Sequence, residues 1–276
     1  MDRTDILLWL AIQEDIGSGD VTTEAVVDPA MTGKAFVFGR EPFVLSGSKP
    51  FRKVFNLIDP AVEVISFFQD GERIQANTRA FVLQGRLQSL LQGERTALNL
   101  LQRLSGIATM TRQMVDAMAG ATCRLLDTRK TTPLWRALEK EAVRHGGGAN
   151  HRFGLYDGVL IKDNHIAAVG GVGKAVQRAR QRVSHTLKVE VEVEHLPDLE
   201  EAIAAGADVI LLDNFSPEEL KTAVAVTAGR CLLEASGGVT LDRIRAIAET
   251  GVHFISCGAL THSARAIDIS MEFAPA

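Results

Sequence analysis

Cationic and imidazole side chains crowd one short segment of the chain. Between Asp127 and His165 stand Arg129, Lys130, Arg136, Arg144, His145, His151, Arg152, Lys162 and His165. The whole protein is nevertheless acidic, with a formal net charge of -4. Cations gathered against the global sign predict a local site for a highly anionic small molecule, not a nucleic-acid surface. Arg129 and Lys130 come shortly after Leu125-Leu126, and Lys162 directly follows Val159-Leu160-Ile161. Both groups therefore fall at the carboxyl ends of short buried strands, where α/β folds place their ligands.

Other strand ends repeat the pattern. Asp213-Asn214 follows Leu212, Ser236-Gly237-Gly238 follows Ala235, and Gly258-Ala259 follows Cys257. Polar or glycine residues after strand upon strand fit a barrel active site better than chance loop polarity. The two glycine loops at the last strands suit a phosphate, because glycine lets main-chain N–H groups approach an anion closely. Gly146-Gly147-Gly148 follows a helix and reads as its C-terminal cap and loop.

Lys188–Glu194 alternates strictly, with Glu190, Glu192 and Glu194 on one face and valines on the other. In a barrel the valines pack under the helices and the glutamates point inward, where they need cations, metal or hydroxyl donors. Spacing alone does not say which glutamate matters. A metal held by Glu192 and Asp213 would be a hard cation such as Mg²⁺. No P-loop, dinucleotide fingerprint or H-E-x-x-H motif occurs, and no tight His/Cys cluster suggests zinc.

The elements that must position these residues follow from periodicity. At 276 residues, 46% hydrophobic and 23% charged, the chain can bury a large core. No apolar run approaches a membrane span, and the N-terminus reads as an amphipathic helix, not a signal peptide. Cys123, Cys231 and Cys257 lie in apolar runs and read as buried, reduced thiols of a cytoplasmic protein. Before about residue 106, strands are expected at Lys34–Gly39, Val62–Phe67 and Ala80–Leu83. A long helix from Gly93 carries Leu98, Leu101 and Leu104, is interrupted at Gly106, and is followed by a second helix, Met110–Met118. Beyond it the rhythm is strand, loop, helix. Strands are expected at Cys123–Leu126, Gly158–Ile161, Lys188–Glu194, Asp208–Leu212, Cys231–Ala235 and His253–Cys257. Helices are expected at Ala137–Arg144, Val172–Val183, Leu196–Ala204, Pro217–Thr227 and Leu241–Thr250. Six βα units argue for a parallel barrel; against the usual eight strands, either the helical stretch near Arg95 precedes a further strand or the barrel is incomplete.

Along essentially its whole length the chain resembles quinolinate phosphoribosyltransferases. The resemblance rests on Glu14–Thr23, Glu94–Asn99, Ser105–Thr109, Thr128–Pro133, Asn150-His151-Arg152, Leu160–His165, Leu212-Asp213-Asn214 and Gly258–Ser263. It implies an α/β fold: an N-terminal α/β sandwich domain (1–106), an incomplete parallel β/α barrel (107–264) and a C-terminal segment (265–276) returning to the first domain. It implies a homodimer or hexamer in which Arg95 reaches the neighbour's site, with no nucleic acid or membrane partner. By the same resemblance Arg129, His151, Arg152 and Lys162 bind the carboxylates of quinolinate. Lys130, Glu192 and Asp213 bind phosphoribosyl pyrophosphate with Mg²⁺, the metal being held by Glu192 and Asp213. Ser236, Gly237 and Gly258 hold the ribose 5-phosphate, and catalysis is carried by Lys130, Lys162, Glu192 and Asp213. Leu134-Trp135, His195 and Gly238 depart from the commonest pattern: many members have glycine followed by an apolar residue at the first, and asparagine is frequent at the other two. A related group associated with molybdenum transport shares the fold but should differ around the His-Arg and Lys-Asp-Asn-His segments, which are intact here.

Two other classes stand beside this reading. A lysine at a barrel strand end can form a Schiff base, so Lys162 could mark an aldolase-like lyase. A non-catalytic anion sensor would need the cations but not the acidic pair Glu192 and Asp213.

Overall fold

A computed structural model describes residues 3–274. The first elements in chain order are α1 (Arg3–Ile16), α2 (Val21–Val26), β1 (Thr32–Gly39), β2 (Phe43–Val44), α3 (Ser48–Ile58), β3 (Glu63–Ser66), β4 (Arg73–Ile74), β5 (Arg79–Arg86) and α4 (Leu87–Ala117). Then come β6 (Arg124–Leu126), α5 (Arg136–His145), β7 (Val159–Ile161), α6 (Asp163–Val169), α7 (Val172–Arg182), β8 (Val189–Val193), α8 (Leu196–Ala204) and β9 (Val209–Asp213). The last are α9 (Pro217–Thr227), β10 (Leu232–Ser236), α10 (Ile244–Ala248), β11 (Phe254–Ser256), α11 (Ala259–His262) and β12 (Ile269–Ala274).

One compact unit comprises the chain up to Arg112, Pro133–Gly147 and the stretch from Ala264 onward. Its four-stranded sheet has the order β12-β1-β5-β3. The C-terminal strand β12 pairs antiparallel with β1, from Lys34 opposite Ala274 to Gly39 opposite Ile269. Alternation along β1 sends Ala35 and Val37 into the core. There they meet Phe51 and Phe55 of α3, both fully buried, and Phe51 packs on Phe81 of β5 with ring centroids 4.7 Å apart. Each such ring contributes on the order of 2 to 3 kcal/mol by leaving water.

Helix α4 corrects the expectation at Gly106. It is one helix of 31 residues that runs through this glycine without a break. Gly106 is there because the chain after the barrel passes against the helix at that point, leaving no room for a side chain.

The second unit comprises Gln113–Thr132 and Gly148–Ser263. Its six strands are parallel, in the order β6-β11-β10-β9-β8-β7. They are the six strands expected from the rhythm, shifted by a residue or so at their ends. Val189, Val191, Ile210, Leu212, Leu233 and Ile255 are all buried, as strands covered on both faces require. Ser216 caps α9 by accepting the N–H of Glu219, whose carboxylate in turn accepts the N–H of Ser216. Two short helices, α6 and α11, escaped the periodicity because neither is long enough to show it. Cys123, Cys231 and Cys257 are buried and free, and burial pushes all three thiols up, away from reactivity. No helix among the described residues is long and apolar enough to cross a membrane.

Candidate active site

The carboxyl ends of the parallel strands surround a cavity of 690 Å³. Arg129, Lys130, His151, Arg152, Lys162, Glu192, Asp213, Ser236, Gly237 and Gly258 all line it. Arg95 does not; it is an exposed residue of α4. Of the remaining cations in the opening cluster, Arg136, Arg144 and His145 belong to α5 in the other compact unit. His145 Nδ1 is hydrogen-bonded to Ser46 Oγ at 2.9 Å. His165 serves locally: its Nδ1 accepts the main-chain N–H of Lys162 at 2.9 Å and fixes the turn into α6.

The loop carrying His151 and Arg152 is pinned to β6. Ala149 forms a parallel bridge with Leu126. The carboxylate of Asp127, fully buried, then accepts the Asn150 side-chain amide at 2.6 Å and the His151 main-chain N–H at 2.8 Å. The Arg152 guanidinium donates to the carbonyl of Gly158 at 3.0 Å. Burial, then the nearby Arg129 charge, lower its pKa, while Glu190 and Asp157 raise it. Arginine starts so high that such a group remains a cation.

Strand β8 corrects the expectation of three inward glutamates. Glu190 is buried and Glu192 lines the cavity, where it pairs with the Lys162 ammonium. Glu194 lies one residue past the strand and is exposed, because the pleat no longer governs its direction there. On β9, the Asp213 carboxylate accepts from the Asn214 side chain at 2.8 Å.

The glycine loops differ from one another. Gly237 has φ +91°, and a Cβ there would lie 2.1 Å from Asn214 Oδ1. Only glycine fits this approach between two strand ends. Gly238 follows at φ +57°, a region that asparagine also tolerates. Helix α10 begins only at Ile244, so no helix dipole stands behind this loop. Gly258 leads directly into α11, a single turn. Thr261 donates to the carbonyl of Lys130 at 2.8 Å, which ties that turn to the cationic loop after β6.

Sequence reasoning missed Glu234, which lines the cavity from the middle of β10. A carboxylate inside the otherwise apolar run Cys231–Ala235 was the available signal. Burial, followed by the neighbouring Glu190 carboxylate, pushes its pKa up to about 7, with His151 pulling the other way.

Comparison with known proteins places this geometry. The family described as quinolinate phosphoribosyl transferase, C-terminal domain, matches residues 107–272, and its N-terminal domain matches residues 20–105. A probable nicotinate-nucleotide pyrophosphorylase (carboxylating) of Bacillus subtilis (strain 168) is 46% identical over 94% of this chain and 89% of its own. The quinolinate phosphoribosyltransferase (decarboxylating) 2a, mitochondrial, of Nicotiana tabacum is 39% identical over 96% of this chain and 81% of its own. The solved nicotinate-nucleotide pyrophosphorylase of Francisella tularensis superposes with a TM-score of 0.95 and 43% identity, covering 99% of this chain and 96% of that one.

Proposed function

This chain belongs to the quinolinate phosphoribosyltransferase family, and we infer that it makes nicotinate mononucleotide for de novo NAD biosynthesis. Its reaction transfers the phosphoribosyl group of phosphoribosyl pyrophosphate to the ring nitrogen of quinolinate, with release of pyrophosphate and CO₂. The observation that carries this reading is one cavity lined by Arg129, Lys130, His151, Arg152 and Lys162 together with Glu192 and Asp213.

Both substrates are polyanions, and these cations match them. Arg129 and Arg152 present planar guanidinium forks suited to the two ring carboxylates, with His151 and Lys162 completing that subsite. Lys130 faces the pyrophosphate, and Ser236, Gly237 and Gly258 receive the 5-phosphate through hydroxyl and main-chain donors. Glu192 and Asp213 offer the hard oxygen donors that Mg²⁺ prefers, both on the cavity wall. When bound, that ion would neutralise charge on the pyrophosphate.

With both substrates held, the pyridine nitrogen attacks the anomeric carbon as the bond to pyrophosphate breaks. Positive charge develops on the ribose, as in glycoside chemistry. Catalysis then rests on orientation and fixed charge. When the carboxylate next to the alkylated nitrogen departs as CO₂, the electron pair of the broken bond stays on the ring carbon, stabilised by the adjacent positive nitrogen, and that carbon takes up a proton.

Arg95 is exposed and outside its own protomer's cavity, which supports a homodimer or hexamer in which it serves a neighbouring copy. Three buried free thiols support a cytoplasmic setting. A Schiff-base role for Lys162 is disfavoured by its ion pair with Glu192 and its half-exposed side chain, since such a lysine needs an apolar, desolvated pocket.

The test is to mix the protein with ring-labelled quinolinate, phosphoribosyl pyrophosphate and Mg²⁺. Labelled nicotinate mononucleotide that depends on all three is the expected outcome. Bound quinolinate without product would sink the assignment and favour a sensor.

A further inference from the structure

Three side chains from distant parts of the chain converge at the wall of the cavity. His151 Nε2 stands 3.0 Å from an oxygen of Glu190 and 3.7 Å from an oxygen of Glu234. Glu190 is 7% exposed and Glu234 only 2%. One oxygen of each glutamate, and the Ser256 hydroxyl from β11, are buried without a hydrogen-bond partner. Two carboxylates at this depth need a compensating cation, a metal or a proton.

The imidazole decides among these. Its Nδ1 accepts the main-chain N–H of Arg152 at 2.7 Å, so Nδ1 keeps its lone pair. The ring hydrogen is then on Nε2 and points at Glu190. A protonated Nε2 cannot ligate a metal. A second ring proton would set Nδ1–H against the Arg152 N–H. His151 therefore presents an Nε2–H donor to the cluster, and it counters only part of what burial and Glu190 do to Glu234. The two glutamates are also unequal. Glu190 feels the Arg152 guanidinium. Glu234, the deeper of the two, is influenced among the described residues by Glu190 from β8, His151 from its loop and the Ser256 hydroxyl from β11.

We propose that Glu234 is carried as a neutral carboxylic acid beside His151 and Glu190, and that this proton is a specificity device of the quinolinate subsite. It spares the dianionic substrate a second buried negative charge behind the residues that hold its carboxylates. The proposal rests on the function inferred above. Glu234 is a positioning residue: it sets affinity for the dicarboxylate and leaves the chemical step alone.

The experiment measures binding of benzene-1,2-dicarboxylate, which has the two carboxylates but no ring nitrogen, from pH 6 to pH 9. Wild type is compared with Glu234→Gln, an uncharged mimic of the protonated acid. Wild-type affinity is expected to fall about tenfold as Glu234 ionises above pH 7. Glu234→Gln should match wild type at pH 6 and lack that fall, and any other titrating group is common to both profiles. In turnover assays the difference should appear in KM for quinolinate and not in kcat. Infrared spectra of the wild-type protein should carry a protonated-carboxyl band that disappears at high pH, a readout that needs no variant. Superimposable pH profiles of the two proteins, or no such band at pH 6, would overturn the proposal. No dicarboxylate binding by wild type at any pH would overturn the inferred function as well.

Discussion

Gly106, in the middle of α4, lies directly against the main-chain carbonyl of Arg265. A Cβ at Gly106 would stand 2.0 Å from that oxygen and 3.4 Å from the Cα of Ala266. Neighbouring bonds hold the returning chain there: the Arg103 guanidinium donates to the carbonyl of Ala264 at 3.0 Å, and the N–H of Ile267 donates to Gln102 at 3.1 Å. Backbone cannot rotate away as a side chain can. Gly106→Ala is expected to destabilise the protein by about 3 kcal/mol, although alanine is the better helix former. Equilibrium denaturation of the variant checks this; a gain in stability would mean that the glycine is there for another reason.

Leu134 has φ +69° and is 60% exposed. A branched side chain in the left-handed region is strained, and here little packing offsets the strain. Leu134→Gly should raise stability by roughly 0.5 kcal/mol, the relief being partly offset by the greater freedom of glycine in the unfolded chain. Leu134→Val should lower it. Thermal melts that rank the three proteins in any other order would contradict the strain argument.

Arg152 combines a part-buried position, a hydrogen bond to Gly158 and the cavity wall. Arg152→Lys keeps the charge but loses the fork, and about a 10- to 100-fold loss in kcat/KM for quinolinate is expected. Arg152→Glu should abolish quinolinate binding while phosphoribosyl pyrophosphate still binds. Separate calorimetric titrations with each substrate decide the matter, and normal turnover by the charge-reversed variant would refute the assigned role.

Arg95 and Arg129 provide a test across subunits. If Arg95 serves a neighbouring copy, Arg95→Ala and Arg129→Ala are each inactive alone. In a mixed dimer one of the two sites has both arginines. Random exchange should then restore about a quarter of wild-type activity, by the arithmetic of a twofold-symmetric dimer. No recovery despite demonstrated heterodimers would rule out the shared site.

Asp59 sets part of the acid stability. Its carboxylate accepts from Arg86 at 2.9 Å, from the Ala61 main chain at 3.0 Å and from the Ser89 hydroxyl at 2.9 Å. The Arg86 bond first, then that of Ala61, lower its pKa to about 2 against the opposing effect of burial. A depressed carboxylate stabilises the fold above the ordinary carboxylate range and loses that contribution as pH falls. After discounting for the 57% exposed Arg86 side chain, the linked stability is about 1 to 2 kcal/mol. Asp59→Asn should therefore be less stable than wild type at pH 7, with the gap narrowing between about pH 4 and pH 2. A gap independent of pH would assign the effect to lost hydrogen bonds alone.

The sequence by itself determined the strand–helix alternation from Cys123 onward and the polar character of each strand end. Both are local properties: alternation in the strands, helical spacing between them, and the loop residues that follow each strand. Ten of the eleven expected site residues accordingly line one cavity, because parallel strands deliver all their carboxyl ends to the same side. Only the tertiary structure decided what depends on approaches between segments remote in sequence. Gly106 reads as a helix breaker until the returning chain is seen against it. Glu194 reads as equivalent to Glu190 until the strand is seen to end before it. Glu234 reads as an isolated acid in an apolar strand until β8 and the His151 loop bring Glu190 and an imidazole to its side. Periodicity fixes which face a residue occupies, but the charge it carries there depends on what the fold packs against that face.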